Sequence, residues 1–375
     1  MSLCIAGMGW VTPLGSNVGE VWQRLLNGET ATAGSIASPL GHAYSIYPVP
    51  AGAIAKTPAH PRLRRSSAIS RFAVAAGLAA LEDAGVKLDE ETATRTALIF
   101  AVSNGGVIYT KKFYHEIVES GAKAASPLLF PETVFNAPAS HLAAILGIAG
   151  ASYTLVGDGA VGILALKMAE DLMASETLDR CLVVGAEEAD WLLCDAYRKW
   201  RLLRSSPPLE PFAQPPRGTI LSEGAGALLL GRSGEIQIEK VAAGTNFRRQ
   251  SEARDCVGQV FAELCLEAEP DLVLASANGT FIDEAERAAV MEHSPRAKIY
   301  ALKRALGESV GASGLWQSIA AAQSLRTQQV PQDCRFSMEN GTESSERSDR
   351  SQPQRAVVSV CGLNQQVAGL RLALN

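Results

Sequence analysis

The side chains best suited to covalent or redox chemistry are seven cysteines, at positions 4, 181, 194, 256, 265, 334 and 361, and five histidines, at 42, 60, 115, 141 and 293. No CxxC pair occurs and the cysteine count is odd, so neither a disulfide framework nor a thiol-rich metal site is expected. The histidines show no HExxH or other paired spacing, which leaves the common zinc arrangements without support. Cys4 and Cys181 each lie inside an apolar, strand-like run and read as reduced core thiols. A different chemistry is suggested by GDGAVG, where Gly157, Gly159 and Gly162 match GxGxxG between a strand signal and a helix signal. In that setting glycine lets a pyrophosphate approach a helix N-terminus, the mark of a dinucleotide-binding oxidoreductase. The acidic residue that would hold the ribose belongs about 20 residues further on, whereas the next strand ends at Glu187. The spacing opposes a dinucleotide, and the turn reads instead as a tight bend with Asp158 capping the helix behind it.

A chain of 375 residues carries a prior of about two domains. Hydrophobic residues make up 47% and charged residues 19%, below the roughly 25% charge of ordinary soluble domains, so global disorder and fibrous folds are excluded. With 34 basic and 39 acidic side chains the formal charge is -5, which leaves no global footprint for nucleic acid. The apolar start MSLCIAGMGWV lacks a basic leader and is too short to span a bilayer. A cytoplasmic chain without a membrane segment is expected.

Strand and helix signals alternate, as in an α/β architecture with crossover connections. Strands are expected over Leu3–Met8, Ala97–Val102, Tyr153–Val156 and Arg180–Ala186, and helices over Val18–Leu26, Ile69–Ala84 and Ser140–Leu146. AVGILALKMA, residues 160–169, is apolar nearly all round apart from Lys167 and is expected to be enclosed on every side. Residues 35–65, with Arg62, Arg64 and Arg65, read as a long surface excursion. A polar, Pro-rich stretch follows Arg198 and leads to GAGALLL, after which the first half closes near Arg232. The second half repeats the rhythm: strands over 236–241, 272–276 and after 355, and helices over 252–266, 284–291 and 313–325. An internal duplication is expected, with halves 1–232 and 233–375. Residues Ser337–Gln354 are almost devoid of apolar side chains and read as a mobile surface loop.

Several motifs run the length of the chain: GMGWVTPLG (Gly7–Gly15), Asn136 followed by His141, GAEE (Gly185–Glu188), EPF (Glu210–Phe212), SEGAGALLL (Ser222–Leu230), ANGT (Ala277–Thr280) and KRALGESVGASG (Lys303–Gly314). In order and spacing they resemble the β-ketoacyl synthase family of the thiolase superfamily. The resemblance implies a five-layered αβαβα fold built from two duplicated halves. It also implies a condensing site with a cysteine at the N-terminus of a buried helix and two histidines that polarise a malonyl thioester carbonyl.

Carried over position by position, the resemblance places the nucleophile at Gly159, with Asp158 or Ala160 one residue either side. The first histidine falls at Asn278, whose amide can still donate a hydrogen bond, and the second at Glu308, which when ionised only accepts. Lys303 is retained and is expected to neutralise Glu308. Thr280 is retained, but the second pantetheine-contacting threonine is replaced by Ile282. CGLNQQ (Cys361–Gln366), which includes Leu363, stands where the family has its gating loop.

No catalytic residue, bound cofactor or metal is therefore expected. The resemblance points to a catalytically degenerate ketosynthase subunit, similar to a chain length factor. Such a subunit pairs with an active ketosynthase, meets an acyl carrier protein that bears the phosphopantetheine, and shapes the acyl tunnel of fatty-acid, polyene or type II polyketide synthesis. Leu129 and Phe130 are candidates for the tunnel wall or the subunit interface, and Arg198, Lys199, Arg201 and Arg204 around Trp200 for carrier docking. A second reading keeps an acyltransferase alive, with Cys361 as its nucleophile.

Overall fold

The computed structural model describes residues 3–55, 57–331 and 352–375. The expected loop Ser337–Gln354 lies outside the described residues except for its last three positions, and Cys334 is also outside them.

The first half contains β1 (Leu3–Val11), α1 (Val18–Leu26), β2 (Gly34–Ala37), β3 (Ala43–Tyr47), α2 (Ala68–Asp83), α3 (Glu90–Thr94), β4 (Thr96–Val102) and α4 (Val107–Ser120). It continues through α5 (Ala137–Leu146), β5 (Ser152–Val156), α6 (Val161–Met173), β6 (Arg180–Glu187), α7 (Trp191–Lys199), β7 (Leu221–Ser222) and β8 (Gly224–Gly231). The second half contains β9 (Ile236–Ala243), α8 (Ala253–Cys265), β10 (Leu272–Leu274), α9 (Ile282–His293) and β11 (Lys298–Tyr300). The short α10 (Lys303–Leu306), then α11 (Ser313–Thr327), β12 (Arg355–Cys361) and β13 (Val367–Leu374) complete it.

Topology carries the duplication that the sequence rhythm suggests. The strands run β5-β4-β6-β8-β1 in one half and β11-β10-β12-β13-β9 in the other, so each half uses its own third, second, fourth, fifth and first strands in turn. The parallel and antiparallel pairings also correspond: β4 is parallel to β5 and β6, as β10 is to β11 and β12. A short antiparallel ladder, Leu3–Ile5 against Ile236–Ile238, joins the halves into one ten-stranded sheet.

Alternation of side chains along the strands separates three apolar layers. Ile99 and Val183 point to the interior between the halves, together with residues of α6 and α11. Leu98, Phe100, Leu182 and Val184 point outward under α2 and α5, and Val273 and Val357 point outward under α8 and α9. Helix, sheet, helix, sheet and helix thus stack in five layers. Close approach of α2 to β1 requires glycine, because a Cβ on Gly9 would lie 2.1 Å from the carbonyl oxygen of Ala76.

Two expectations are corrected. The helix following GDGAVG is not enclosed on every side: Lys167 is partly exposed and pairs with Glu170 and Asp171 at 2.7 and 2.9 Å. The enclosed helix is α11, buried from Ser313 to Leu325. Most of its polar donors find partners inside the protein, Gln317 Nε2 donating to the carbonyls of Leu274, Ala275 and Ser359 and Trp316 to that of Ala225, while Gln317 Oε1 is buried without one. Residues 35–65 are likewise more than a surface excursion, since β2 and β3 form a small sheet with β7 that buries Tyr44, Ile46 and Tyr47. Among the described residues no helix is long and apolar enough to cross a membrane.

Candidate functional site

Backbone turns at the ends of the second-half strands bring the site together. After β10 the chain turns at Gly279, with φ of 84°, and the buried carboxylate of Asp283 accepts the N–H groups of Asn278 and Gly279. Gly307, with φ of 78°, ends α10 where a Cβ would meet Tyr47 at 2.7 Å. It delivers Glu308 to the edge of β7, whose neighbour Ile220 accepts the Glu308 N–H at 2.9 Å.

Lys303 and Glu308 form an ion pair at 2.6 Å, with side chains only 2% and 4% exposed. The same carboxylate oxygen of Glu308 accepts from Asn278 Nδ2 at 2.8 Å. Thr280 donates to Asn278 Oδ1 at 2.6 Å and fixes which way the amide faces. One N–H of the Asn278 amide is therefore directed at Glu308. Lys303 reaches Ser276 Oγ at 3.4 Å, and that hydroxyl accepts from the Cys361 N–H and donates to the Cys361 carbonyl. The cluster is thereby tied to the end of β12.

The chain beyond Cys361 closes over the start of α6. A Cβ on Gly159 would lie 3.1 Å from the Gly362 Cα, a tight contact that a side chain there would meet. Asp158 does not cap α6 as expected, because the helix starts after Ala160 without a side-chain cap. Its carboxylate accepts instead from the Asn364 N–H at 2.6 Å, while its own N–H donates to Gln366 Oε1 at 2.7 Å. Burial raises the Asp158 pKa, with the Glu308 charge adding to the effect and backbone donors opposing it.

These contacts contradict the dinucleotide reading. The Gln366 amide fills the approach to Gly157, where a Cβ would meet it at 2.7 Å, and the Asp158 carboxylate would repel a pyrophosphate. They also remove the chemical basis for Cys361 as a nucleophile. That residue is 1% exposed, and burial together with the nearby Glu286 and Asp158 carboxyls drives its thiol pKa well up, so the reactive thiolate is suppressed.

Leu363 and Thr280 are buried beside the cluster. Leu129 and Phe130 are remote from it in the bonding network: Phe130 is 56% exposed and stacks on Phe113 with ring centres 5.6 Å apart. In the basic stretch, Arg198 and Lys199 pair with Asp195 at 3.1 and 2.9 Å, and Arg204 with Glu210 at 2.8 Å. Three of the four cations expected at a carrier surface are thus held by acids of the same chain.

The structure adds buried acids that periodicity did not single out. Glu286, fully buried on α9, accepts from Ser359 Oγ and has a pKa raised to about 7, chiefly by burial. Glu187 accepts the N–H groups of Ser103 and Asn104 and is raised to about 7 for the same reason. The available signal was the interleaving of acids with apolar residues, in IDEAERAAV and at the end of the apolar strand RCLVVGAE.

Residues 2–235 match the family described as β-ketoacyl synthase, N-terminal domain. The chain belongs to the β-ketoacyl synthase family. It is 24% identical over 361 residues to a 3-oxoacyl-[acyl-carrier-protein] synthase 2 of Vibrio harveyi, covering 87% of this chain and 86% of that one. A β-ketoacyl synthase from Burkholderia phymatum STM815 superposes with a TM-score of 0.84 at 19% identity, covering 100% of this chain and 99% of the other. A ketosynthase, ApeO, in complex with its chain length factor, ApeC, from Xenorhabdus doucetiae gives a TM-score of 0.81 at 17% identity, over 100% and 98% of the two chains. Both structural similarities are similarities of fold.

Proposed function

We propose that this chain is a non-condensing, ketosynthase-like subunit that pairs with an active β-ketoacyl synthase and shapes the acyl tunnel in fatty-acid, polyene or type II polyketide synthesis. The observation that carries this reading is the Lys303–Glu308–Asn278 cluster. Both histidine positions are occupied by side chains bonded to each other, and Gly159 carries no thiol and has little space above it. Decarboxylative condensation builds negative charge on a thioester oxygen, and a neighbouring carboxylate opposes that charge instead of stabilising it. Lys303 offsets the Glu308 charge through Oε2, while Oε1 is buried without a partner.

The outer edge of the sheet supports the partner. Among the described residues β5 pairs only with β4, and its Tyr153 and Val156 are 42% and 50% exposed. Tyr114, Val118, Phe130 and Phe135 are exposed as well. An open strand edge is a liability unless another chain covers it, and exposed apolar side chains add to the case for a partner. On this reading the partner completes the sheet, Leu129 and Phe130 face it, and an acyl carrier protein presents its phosphopantetheine to the partner's cysteine.

Co-expression with the ketosynthase encoded nearest to this chain, followed by native mass spectrometry, tests the proposal. A one-to-one heterodimer whose condensation requires the partner's cysteine is expected. A homodimer that ignores the partner and condenses acyl and malonyl thioesters alone would overturn it.

A further inference from the structure

Beside the start of α6 lies a cleft of about 550 Å³, walled by α7, the end of β4 and the loop after β12. Asp158 is the one charged side chain among its lining residues. Five carboxamides, Asn104, Asn246, Asn364, Gln365 and Gln366, surround that carboxylate, with the aromatic rings of Tyr197 and Trp200 on one wall. The two rings are a tilted pair with centres 5.9 Å apart, and Trp200 is 58% exposed. Asn104 Nδ2 is buried and has no hydrogen-bond partner. We infer that this cleft binds an organic ammonium carrying a neutral hydrogen-bond acceptor, such as an amino amide or amino alcohol.

Each part of the lining suits such a ligand. A carboxylate is the counter-ion an ammonium needs, and indole and phenol faces attract cations through their ring quadrupoles. The ligand's acceptor would meet the free Asn104 amide, whose burial without a partner is costly. Asp158 is itself destabilised as an anion by burial, a cost that a bound cation relieves. The N-terminus of α6 favours negative charge, and Asp158 already supplies it. Among the described lining residues there is no cation, so a malonyl or other carboxylate ligand meets the Asp158 charge without a counter-ion. The inference does not depend on whether the chain condenses acyl groups.

The test is calorimetric titration of the full chain with three matched probes: 6-aminohexanamide, hexanamide and the carboxylate adipamate. The aminoamide is expected to bind about tenfold or more tightly than hexanamide, and adipamate least. Asp158→Asn should bring the aminoamide to the hexanamide level, and Trp200→Ala should weaken it severalfold while leaving the unfolding midpoint in place. Should Asp158→Asn fail to fold, the probe ranking and Trp200→Ala carry the test. Equal binding of aminoamide and hexanamide, preference for adipamate, indifference to Trp200→Ala, or no binding by any probe would overturn the inference. None of these outcomes bears on the heterodimer, whose test is the stoichiometry of the complex.

Discussion

Lys303 and Glu308 are both almost fully buried, and burying either alone would leave an uncompensated charge. Lys303→Met is therefore expected to cost about 3–5 kcal/mol in chemical denaturation, with much of the loss recovered in the Lys303→Met/Glu308→Leu double variant. An additive double variant would show that the two charges do not depend on each other. At the nucleophile position, Gly159→Cys by itself should give no acyl-enzyme and no condensation, because the new side chain meets Gly362 and both histidine positions remain occupied. Mass spectrometry after incubation with an acyl thioester reads this directly. Glu187 and Glu286, with pKa values raised to about 7 by burial, keep their protons in the folded chain where the unfolded chain, with an ordinary value of 4.5, has lost them. Stability is thus expected to fall as pH rises from about 4.5 to about 7 and then to level off, and Glu187→Gln should flatten part of that slope. A stability that rises through this interval in Glu187→Gln and parent alike would contradict the assignment.

At the scale of elements, the informative contrast is between α6 and α11. The apolar run 160–169 reads as a fully enclosed helix, yet Lys167 and its acidic partners reach solvent. SGLWQSIAAAQSLRT is polar enough to pass for an amphipathic helix, yet its serines and glutamines are buried against backbone carbonyls. A periodicity argument scores side-chain type, whereas burial here is decided by acceptors within reach, the α11 carbonyls of Gly314 and Ala320 for Ser318 and Ser324 and those at the ends of β10 and β12 for Gln317. The β5 edge makes its own prediction. Val156→Arg, on a half-exposed edge position, should abolish pairing with the partner while moving the monomer's unfolding midpoint by little, as size exclusion and thermal unfolding would show. Retained pairing would move the interface elsewhere.

For the whole molecule, the repeated strand order explains why sequence rhythm could divide the chain near Arg232: the same five-strand unit occurs twice, ending at Gly231 and restarting at Ile236. The interior between the halves holds α6 and α11 together, so the reacting centre of such a fold draws its residues from both halves. Gly159 comes from one half, and Asn278, Lys303, Glu308 and Gly362 from the other.

The sequence by itself determined the class of fold, through its alternating elements and end-to-end motifs, and it singled out Asn278, Lys303 and Glu308, which the fold brings into contact. Those are properties of residue type and order, which linear spacing records. Only the tertiary structure decided what these residues do to one another. Asn278 directs an N–H at Glu308, the Asp158 carboxylate reaches the loop at Asn364, and Cys361 is buried against Ser276. Each outcome depends on contacts between segments more than 25 residues apart, where hydrogen-bond geometry and burial set the energy and spacing along the chain carries no information about either.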